Sequence, residues 1–143
     1  MYKVTIDPGK TGAMATLDEN GSVATYKCPE TMHEVYMLLG TIPQGAMCII
    51  EKVHAMPGQG VVSTWKFSEN YTTWRMGMIC LAIPFIEVTP QRWMKALGNL
   101  PKEKSERKNE IKSQMQKRYP GIKVTLANAD ALAMLTVFDQ VWR

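Results

Sequence analysis

Two carboxylates stand at the ends of apolar runs in the chain. Asp7 closes the run Val4–Ile6 and is followed at once by the turn dipeptide Pro8-Gly9, and Glu51 closes the run Ala46–Ile50. The first run is rich in β-branched residues and the second is apolar without interruption, and both features are typical of buried strands. Each carboxylate is therefore predicted at the end of a strand. Carboxylates that meet at one sheet edge can hold a divalent cation. The ordinary alternatives are a turn residue for Asp7 and a solvated strand end for Glu51.

A third acid, Asp130, falls in the first turn of a predicted helix over residues 129–142, which Asn128 precedes as the capping residue. The helix dipole alone favours a carboxylate in that position. Asp130 therefore has a structural explanation of its own. It gains interest because it joins Asp7 and Glu51 as an acid at the boundary of an element.

Charge is distributed unevenly along the chain. The net charge of the 143 residues is +4, but residues 92–123 hold ten basic residues against three acidic ones, so this segment carries +7 and the remainder −3. A basic segment beside an acidic remainder predicts that a polyanionic partner is held near carboxylates. Carboxylates repel a polyanion, and bound metal ions would offset that repulsion. A solvated helix with Lys–Glu pairs is the alternative.

The order of the elements predicts an α/β fold. An Asn-Gly hairpin signal at residues 20–21 predicts an antiparallel meander of the first three strands. A helical crossover then makes the fourth strand parallel to the first, so that Asp7 and Glu51 lie side by side. We expect a five-stranded mixed sheet with helices on both faces, in one domain spanning residues 1–143. The predicted strands cover residues 4–7, 13–17, 22–27, 46–51 and 83–88, and the predicted helices cover 32–39, 61–81, 90–97, 102–119 and 129–142.

The predicted helix over residues 61–81 is apolar on two sides. One stripe consists of Phe67, Tyr71, Trp74, Met78 and Leu81, and the other of Val61, Trp65, Thr72, Met76 and Ile79. A surface helix normally has one apolar face, so two indicate burial on both sides. We expect one face to cover the sheet and the other to meet a second subunit, and we assign Phe67, Tyr71, Trp74 and Met78 to a homodimer interface. A central helix of a monomer is the alternative.

The composition predicts an intracellular, cytoplasmic protein. Hydrophobic residues make up 45% and charged residues 21% of the chain. No apolar run approaches the roughly 20 residues of a membrane span, and the N-terminus lacks the pattern of a signal peptide. The cysteines, Cys28, Cys48 and Cys80, are scattered among apolar residues and predict small buried side chains rather than disulfides or a metal site.

Three stretches of the chain, taken with their order and spacing, resemble the RuvC-type Holliday-junction resolvases of the ribonuclease H-like nuclease superfamily. They are Ile6-Asp7-Pro8-Gly9, Ile49-Ile50-Glu51-Lys52-Val53 and Asp130-Ala131-Leu132-Ala133-Met134. Residues 77–79, 85–90 and the lysine-rich 102–105 also follow the family's pattern, so the resemblance covers nearly the whole chain. It implies that the five-stranded sheet is a ribonuclease H-like one.

The resemblance also implies a magnesium-dependent endonuclease. Asp7, Glu51 and Asp130 would be the catalytic carboxylates and would bind two Mg²⁺ ions per site, for which Mn²⁺ can substitute, with Asp7 bridging them. Two ions about 4 Å apart can activate a water and stabilise the leaving oxygen. The implied reaction, in DNA recombination and repair, is hydrolysis of opposed strands of a four-way junction by a homodimer, leaving 5′-phosphate and 3′-hydroxyl ends. A small resolvase suits a bacteriophage, where it would act in the host cytoplasm, but no residue separates phage from cellular origin.

One position departs from the family pattern. The family usually carries a fourth acid three residues before the last one, and here that position is Ala127, which cannot bind a metal. Either three acids suffice, with help from the Asn128 amide oxygen, or a substitution at position 127 has silenced cleavage. We favour the second explanation because every other part of the predicted site is present.

Several polar residues near the predicted site are candidates for contacting DNA. His54 lies three residues after Glu51, where the family often has an aromatic residue that reaches the junction centre, although an exposed loop histidine is the equal alternative. Phosphate contacts are expected from basic and amide side chains. The DNA-binding candidates are Lys10, Lys52, His54, Gln59, Lys102, Lys104, Arg107 and Lys108.

Three other functions fit parts of the same pattern. Another ribonuclease H-like nuclease would act on flaps or RNA rather than on four-way junctions. A junction-binding protein without cleavage activity would explain Ala127. A sugar-kinase-like ATPase also has an acid and glycines after its first strand, but it needs a second glycine-rich phosphate loop.

Overall fold

A single mixed sheet of five strands forms the centre of the molecule, in the order β3–β2–β1–β4–β5. The computed structural model describes all 143 residues. The strands are β1 (Lys3–Asp7), β2 (Ala13–Leu17), β3 (Val23–Lys27), β4 (Met47–Glu51) and β5 (Phe85–Val88). The helices are α1 (Met32–Leu39), α2 (Val61–Cys80), α3 (Pro90–Leu97), α4 (Lys104–Arg118), α5 (Ala129–Thr136) and α6 (Phe138–Val141). The predicted five-stranded mixed sheet is confirmed.

The first three strands form the predicted antiparallel meander. Its second turn is closed by Asp18, whose carboxylate accepts hydrogen bonds of 2.8 Å from the backbone N–H groups of Asn20 and Ser22. Gly21 completes the turn at a φ of +84°, which glycine adopts without steric cost. Helix α1 then carries the chain across to β4, which pairs in parallel with β1 on one side and with β5 on the other.

Alternation along the strands divides the core into two clusters. Val4 and Ile6 of β1 belong to a cluster of 13 buried residues beneath α1 and α2. Ile49 of β4 belongs to a cluster of 17 buried residues that includes side chains from α3 to α6. Helices therefore cover both faces of the sheet, as predicted. None of the helices combines the length and the apolar character that crossing a bilayer requires.

The C-terminal helix differs from its prediction. The single helix expected over residues 129–142 is divided into α5 and α6 around Val137, whose φ and ψ of −101° and 13° leave the helical region. The Thr136 hydroxyl donates back to the Leu132 carbonyl and meets the Tyr119 hydroxyl at 2.9 Å, which fixes the end of α5 against α4. The break lets α6 turn and pack Phe138 against Trp142, with ring centroids 5.4 Å apart.

The two apolar stripes of α2 are reversed relative to the dimer assignment. Tyr71, Trp74 and Met78 are 9%, 0% and 0% exposed because they pack on the sheet inside this chain, and Phe67 is half-buried. Side chains buried in the protomer core are not free to meet another subunit, so the structure argues against Tyr71, Trp74 and Met78 at an interface, whereas the assignment of the half-buried Phe67 stays a prediction. The opposite stripe is the exposed one, and it includes Val61, Trp65, Met76 and Ile79.

The cysteines are all free thiols. Cys28 and Cys48 are buried as predicted, whereas Cys80 is exposed at the end of α2. Cys80 differs because it lies on the side of the helix that faces away from the sheet.

Candidate active site

Asp7 and Glu51 end adjacent parallel strands at the same edge of the sheet. The β1–β4 register pairs Thr5 with Ile49 and Ile6 with Ile50, so the next residues along the two strands are Asp7 and Glu51. Alternation puts Asp7 on the face of Thr5, and Glu51 on the face of Ile49, which is the face covered by α3 to α6. Both carboxylates therefore point to the side of the sheet on which α5 lies.

A buried hydrogen bond fixes α5 on this face. The Thr5 hydroxyl donates to the Ala131 carbonyl at 2.7 Å, and Thr5 is completely buried. Because Thr5 is two residues before Asp7 and Ala131 is next to Asp130, this bond ties the two acid-bearing segments together. The predicted third acid thus lies in the first turn of α5, opposite the other two.

The three carboxylates act on one another electrostatically. Burial raises the pKa of Asp7 well above its usual range, and the negative charges of Glu51 and Asp130 raise it further. Burial also raises the pKa of Glu51 to about 7, with Asp130 adding to the rise. Burial raises the pKa of Asp130 as well. The effect of Asp130 on both other acids places all three within electrostatic range of one another.

Positive charge reaches this cluster from α4. Lys108 lowers the pKa of both Asp7 and Asp130, against the larger effect of burial, and Arg107 does the same for Asp130. Neither cation forms an ion pair with the acids at contact distance, and no other salt bridge involves the three carboxylates. The cluster therefore keeps unbalanced negative charge near the start of a basic helix.

Glu51 differs from the two aspartates in its hydrogen bonding. Its Oε2 accepts a hydrogen bond of 2.7 Å from the indole Nε1–H of Trp93 in α3. The carboxylates of Asp7 and Asp130 accept no hydrogen bond from the protein. The Trp93 bond lowers the pKa of Glu51, but by less than burial raises it.

The loop after Asp7 is held against α2 and β3. Gly9 has a φ of +118°, its backbone N–H donates to Asn70 Oδ1 at 2.8 Å, and a Cβ at this position would come within 2.8 Å of the Phe67 ring. On the other side, the Cys28 thiol donates to the Asp7 carbonyl at 3.3 Å. Only glycine fits at position 9, so the backbone that presents Asp7 is fixed from both sides.

The donor set has the chemistry that a divalent cation requires, but it is not closed around one. Three partly exposed carboxylates that repel one another are relieved by a bound cation, and oxygen ligands suit Mg²⁺ and Mn²⁺. In this conformation no three acidic, histidine or cysteine side chains converge closely enough to hold a common ion. The residues therefore fit a metal by charge and donor type, and side-chain movement would have to complete the coordination.

Known proteins match this chain in structure but not in sequence. No protein-family model and no curated protein sequence matches the chain. A structure of T. thermophilus RuvC in complex with a Holliday junction substrate matches 96% of this chain and 91% of its own, with a TM-score of 0.64 at 15% sequence identity. A second Thermus thermophilus RuvC structure matches 99% of this chain and 97% of its own, with a TM-score of 0.63 at 14% identity.

The chain has the RuvC fold. The resemblance predicted from Asp7, Glu51 and Asp130 is confirmed at that level, over nearly the full length of both molecules. At such low identity the likeness establishes architecture rather than activity.

The turn before α5 holds Ala127 and Asn128, which precede the helix that carries the third acid. Ala127 lies in this turn, partly exposed. The Asn128 side-chain oxygen accepts from the Thr125 backbone N–H at 2.8 Å, and its nitrogen donates to the Lys123 carbonyl at 3.1 Å. Asn128 precedes α5 as predicted, but its side chain holds the turn rather than capping the helix. Its oxygen accepts one hydrogen bond within the turn, and its role beside the three acids stays a prediction.

The DNA-binding candidates lie in three places. Lys10 follows β1, and Lys52, His54 and Gln59 lie between β4 and α2, so all four belong to loops at the edge where Asp7 and Glu51 lie. Lys102 and Lys104 are exposed at the start of α4, beside Lys108 and the half-buried Arg107. Arg107 also donates to the Lys102 carbonyl at 2.8 Å, which fixes this end of the helix. Their roles as DNA contacts stay predictions.

Sequence reasoning missed three residues that build the site. Thr5 was treated only as a strand former, Trp93 only as an apolar residue of a short helix, and Asn70 was not singled out. For Thr5 a signal was available, because a hydroxyl inside an apolar strand requires a buried partner. Trp93 and Asn70 reach the site through tertiary packing, for which the chain has no local signal.

Proposed function

We propose that the chain is a structure-selective DNA endonuclease that resolves four-way junctions by divalent-metal-dependent hydrolysis of phosphodiester bonds. The observation that carries the proposal is the group of three mutually repelling carboxylates, Asp7, Glu51 and Asp130, at the edge of a sheet with the RuvC fold. One of the matched RuvC structures is a complex with a Holliday junction substrate, which supports branched DNA as the substrate class.

The residues divide the chemical work. Asp7, Glu51 and Asp130 would hold two Mg²⁺ or Mn²⁺ ions, with Asp7 shared, and these ions when bound supply a reactive water and stabilise the leaving oxygen. The loop at Gly9 and the Thr5–Ala131 bond fix the backbone segments that carry Asp7 and Asp130 before substrate arrives. Lys108 brings positive charge close to Asp7, where it would attract a phosphate. Each cut would leave a 5′-phosphate and a 3′-hydroxyl.

Basic residues around the carboxylates would bind the arms of the junction. The candidates are Lys10, Lys52, His54, Gln59, Lys102, Lys104, Arg107 and Lys108. Since each phosphate contact releases counterions, junction affinity should fall steeply with added salt. Positive charge at the start of α4 also offsets the repulsion between the acid cluster and DNA.

A second copy of the chain is the proposed partner, and it would cover the exposed stripe of α2. Val61, Trp65, Met76 and Ile79 are 84%, 73%, 54% and 60% exposed. Large apolar side chains of α1 extend the patch, and a groove of about 540 Å³ runs between the two helices. A contiguous apolar surface of this kind marks an interface, and a two-fold dimer matches a substrate with two opposed strands.

Self-association can be tested by placing a charge on this patch. Trp65→Glu should shift the protein from dimer to monomer, measured by sedimentation velocity, because a carboxylate would be buried without a partner. Lys112→Glu, on the exposed side of α4, is the control and should leave the dimer intact. A wild-type protein that sediments as a monomer at the concentrations used for cleavage would overturn the assignment.

The function can be tested by a gel assay with three substrates. A synthetic mobile four-way junction, a Y-fork and an RNA–DNA hybrid are incubated with Mg²⁺ or with EDTA, using the wild-type chain and Ala127→Asp. We expect paired nicks in the junction that require Mg²⁺, and a gain of orders of magnitude from Ala127→Asp because it supplies the missing acid.

The other outcomes separate the remaining functions. Preferential cutting of the fork or the hybrid would indicate another ribonuclease H-like nuclease. Tight junction binding with no nick by either version would indicate a binding protein, which Ala127 and the open donor set also fit. If Ala127→Asp does not increase cleavage, the hypothesis that a substitution at position 127 has silenced cleavage is refuted.

A further inference from the structure

We propose that Trp93 is a positioning residue for Glu51: its indole N–H fixes the orientation of that carboxylate for binding a divalent cation. The inference rests on the proposed metal-dependent function of the carboxylate cluster and assigns a specific task there to a residue of α3. Trp93 is completely buried and its indole N–H donates to Glu51, so it would act through Glu51 alone.

The local fold brings the indole to this point. Helix α3 begins directly after β5, with Thr89 capping its first turn by accepting from the Arg92 backbone N–H and with Pro90 in its first position. β5 is the parallel neighbour of β4, and Glu51 pairs with Val88 in that register. One turn of helix after the end of β5 therefore places Trp93 beside the end of β4, where its Nε1–H meets Glu51 Oε2 at 2.7 Å.

Glu51 needs such a partner more than the other two acids do. A glutamate has one more rotatable side-chain bond than an aspartate and loses more conformational freedom when it is fixed. Asp7 and Asp130 are positioned by the backbone segments that carry them, whereas the Glu51 carboxylate lies further from its backbone. The Trp93 bond engages one oxygen and leaves Oε1 without a protein donor, available to a cation.

An indole is suited to this task because it only donates. Its N–H cannot take a proton from the carboxylate or compete for a cation, unlike histidine or a second acid. Hydrogen-bonding partners of metal ligands typically change metal affinity by about 10- to 100-fold when they are removed. Loss of the Trp93 N–H should therefore weaken cation binding by a factor in that range.

A plain structural role for the hydrogen bond makes a different prediction. On that view the bond only satisfies a buried donor of Trp93. The chain contains a matched case, because Trp74 is equally buried on the other face of the sheet and its Nε1 has no hydrogen-bond partner. The core therefore accommodates an indole N–H without an acceptor, and the contact between Trp93 and Glu51 is not required to bury the ring.

The experiment compares Trp93→Phe with Trp74→Phe by calorimetric titration of Mn²⁺ into the protein without DNA. Both changes remove a buried indole, but only the first removes a hydrogen bond to a carboxylate. Trp93→Phe should weaken Mn²⁺ binding by about 10- to 100-fold, while Trp74→Phe should stay within about twofold of wild type. Unfolding of each variant is followed by circular dichroism, and a benzothienylalanine at position 93 keeps the bicyclic ring if phenylalanine prevents folding.

The outcomes separate this inference from the function on which it rests. Wild-type Mn²⁺ affinity in Trp93→Phe, or equal weakening in both variants, overturns the positioning role and leaves the nuclease proposal standing. A wild-type protein whose Mn²⁺ binding is absent, or is unchanged by Asp7→Asn, removes the metal site itself, and the role of Trp93 falls with it.

Discussion

Glu51 and Glu87 lie near the ends of neighbouring parallel strands, yet their carboxylates have different partners. Glu87 of β5 pairs with Ile50 in the β4–β5 register, so it faces α2, where Arg75 forms an ion pair with it. The Arg75 guanidinium also lies over the Tyr71 ring, 5.1 Å from its centroid. Glu51 faces the other way and receives an indole N–H instead of a cation.

The difference separates a cluster whose charge is balanced within the protein from the cluster proposed as the active site. Around Glu87, charge is balanced within the protein, and the pKa of Tyr71 rises to about 12 through burial first and the nearby carboxylate second. Around Glu51, the charge of Asp130 adds to the effect of burial and no ion pair relieves it. Unrelieved charge of this kind costs stability, and proteins retain such costs at functional sites.

The largest expected effect comes from exchanging one charge in each cluster. In whichever version of the protein cleaves junctions, Asp7→Asn should lower kcat/KM by roughly 10³-fold or more, because the proposed shared metal ligand would contribute several kcal/mol to the transition state. The same change should increase the free energy of unfolding without metal, since it removes a repelling charge. Junction cleavage and urea denaturation measure the two quantities.

Glu87→Gln is the matched change in the other cluster and should act in the opposite sense. It should lower the free energy of unfolding by about 1–2 kcal/mol, because Arg75 loses its partner at a partly exposed site, and should leave cleavage within about twofold. If Glu87→Gln impaired cleavage as much as Asp7→Asn, the division between the clusters would be wrong.

A smaller effect should appear in the pH dependence of stability. The pKa of Glu51 is raised in the folded protein to about 7. The folded state then binds more protons than the unfolded state above the ordinary glutamate pKa, so the stability contribution is present at low pH and is lost as pH rises through about 7. Without divalent cations, we expect the free energy of unfolding to fall by about 2 kcal/mol between pH 5 and pH 8 on account of Glu51.

Denaturation at a series of pH values in EDTA measures this dependence. Glu51→Gln should flatten the curve, and Mg²⁺ should restore stability at pH 8 in the wild-type chain by binding only the folded state. An equal slope in wild type and Glu51→Gln would mean that other groups control the pH response.

The smallest expected effect concerns the bond behind the acid cluster. Thr5→Val keeps the side-chain shape but leaves the Ala131 carbonyl without its hydroxyl donor, which should cost about 1–2 kcal/mol of unfolding free energy. Thr5→Ser retains the hydroxyl and should preserve more of the contact. Hydrogen exchange of the α5 amides should be faster in Thr5→Val only. Unchanged exchange of α5 in that variant would show that Thr5 does not fix the helix.

The fold was predictable because its main signals are local or follow general rules. The β-branched run before Asp7 and the apolar run before Glu51 defined the central strands, and the crossover rule made them parallel. The role of each α2 stripe was not predictable from hydrophobicity, because both stripes are apolar. Gly77 is the residue that distinguishes them, since a Cβ there would lie 2.7 Å from a Leu39 methyl group and the glycine therefore marks the face against α1.

The candidate site was predictable only in part. Its three acids were named because each stands at the end of an element, where a side chain can be both fixed and accessible. Trp93 could not be named, because its contact with Glu51 depends on how α3 packs under β4, and a shift of an ångström would remove the bond. The same is true of Asn128, whose side-chain partners are set by the path of the turn.

The hydrogen bond between Thr5 and Ala131 joins residues 126 positions apart. A ribosome synthesising this chain therefore makes the first acid long before the last one. Until α5 docks, a nascent chain holds just two of the three carboxylates beside its basic segment. Such an intermediate could bind nucleic acid electrostatically but would lack the complete carboxylate cluster, so the proposed cleavage would have to wait until α5 has docked.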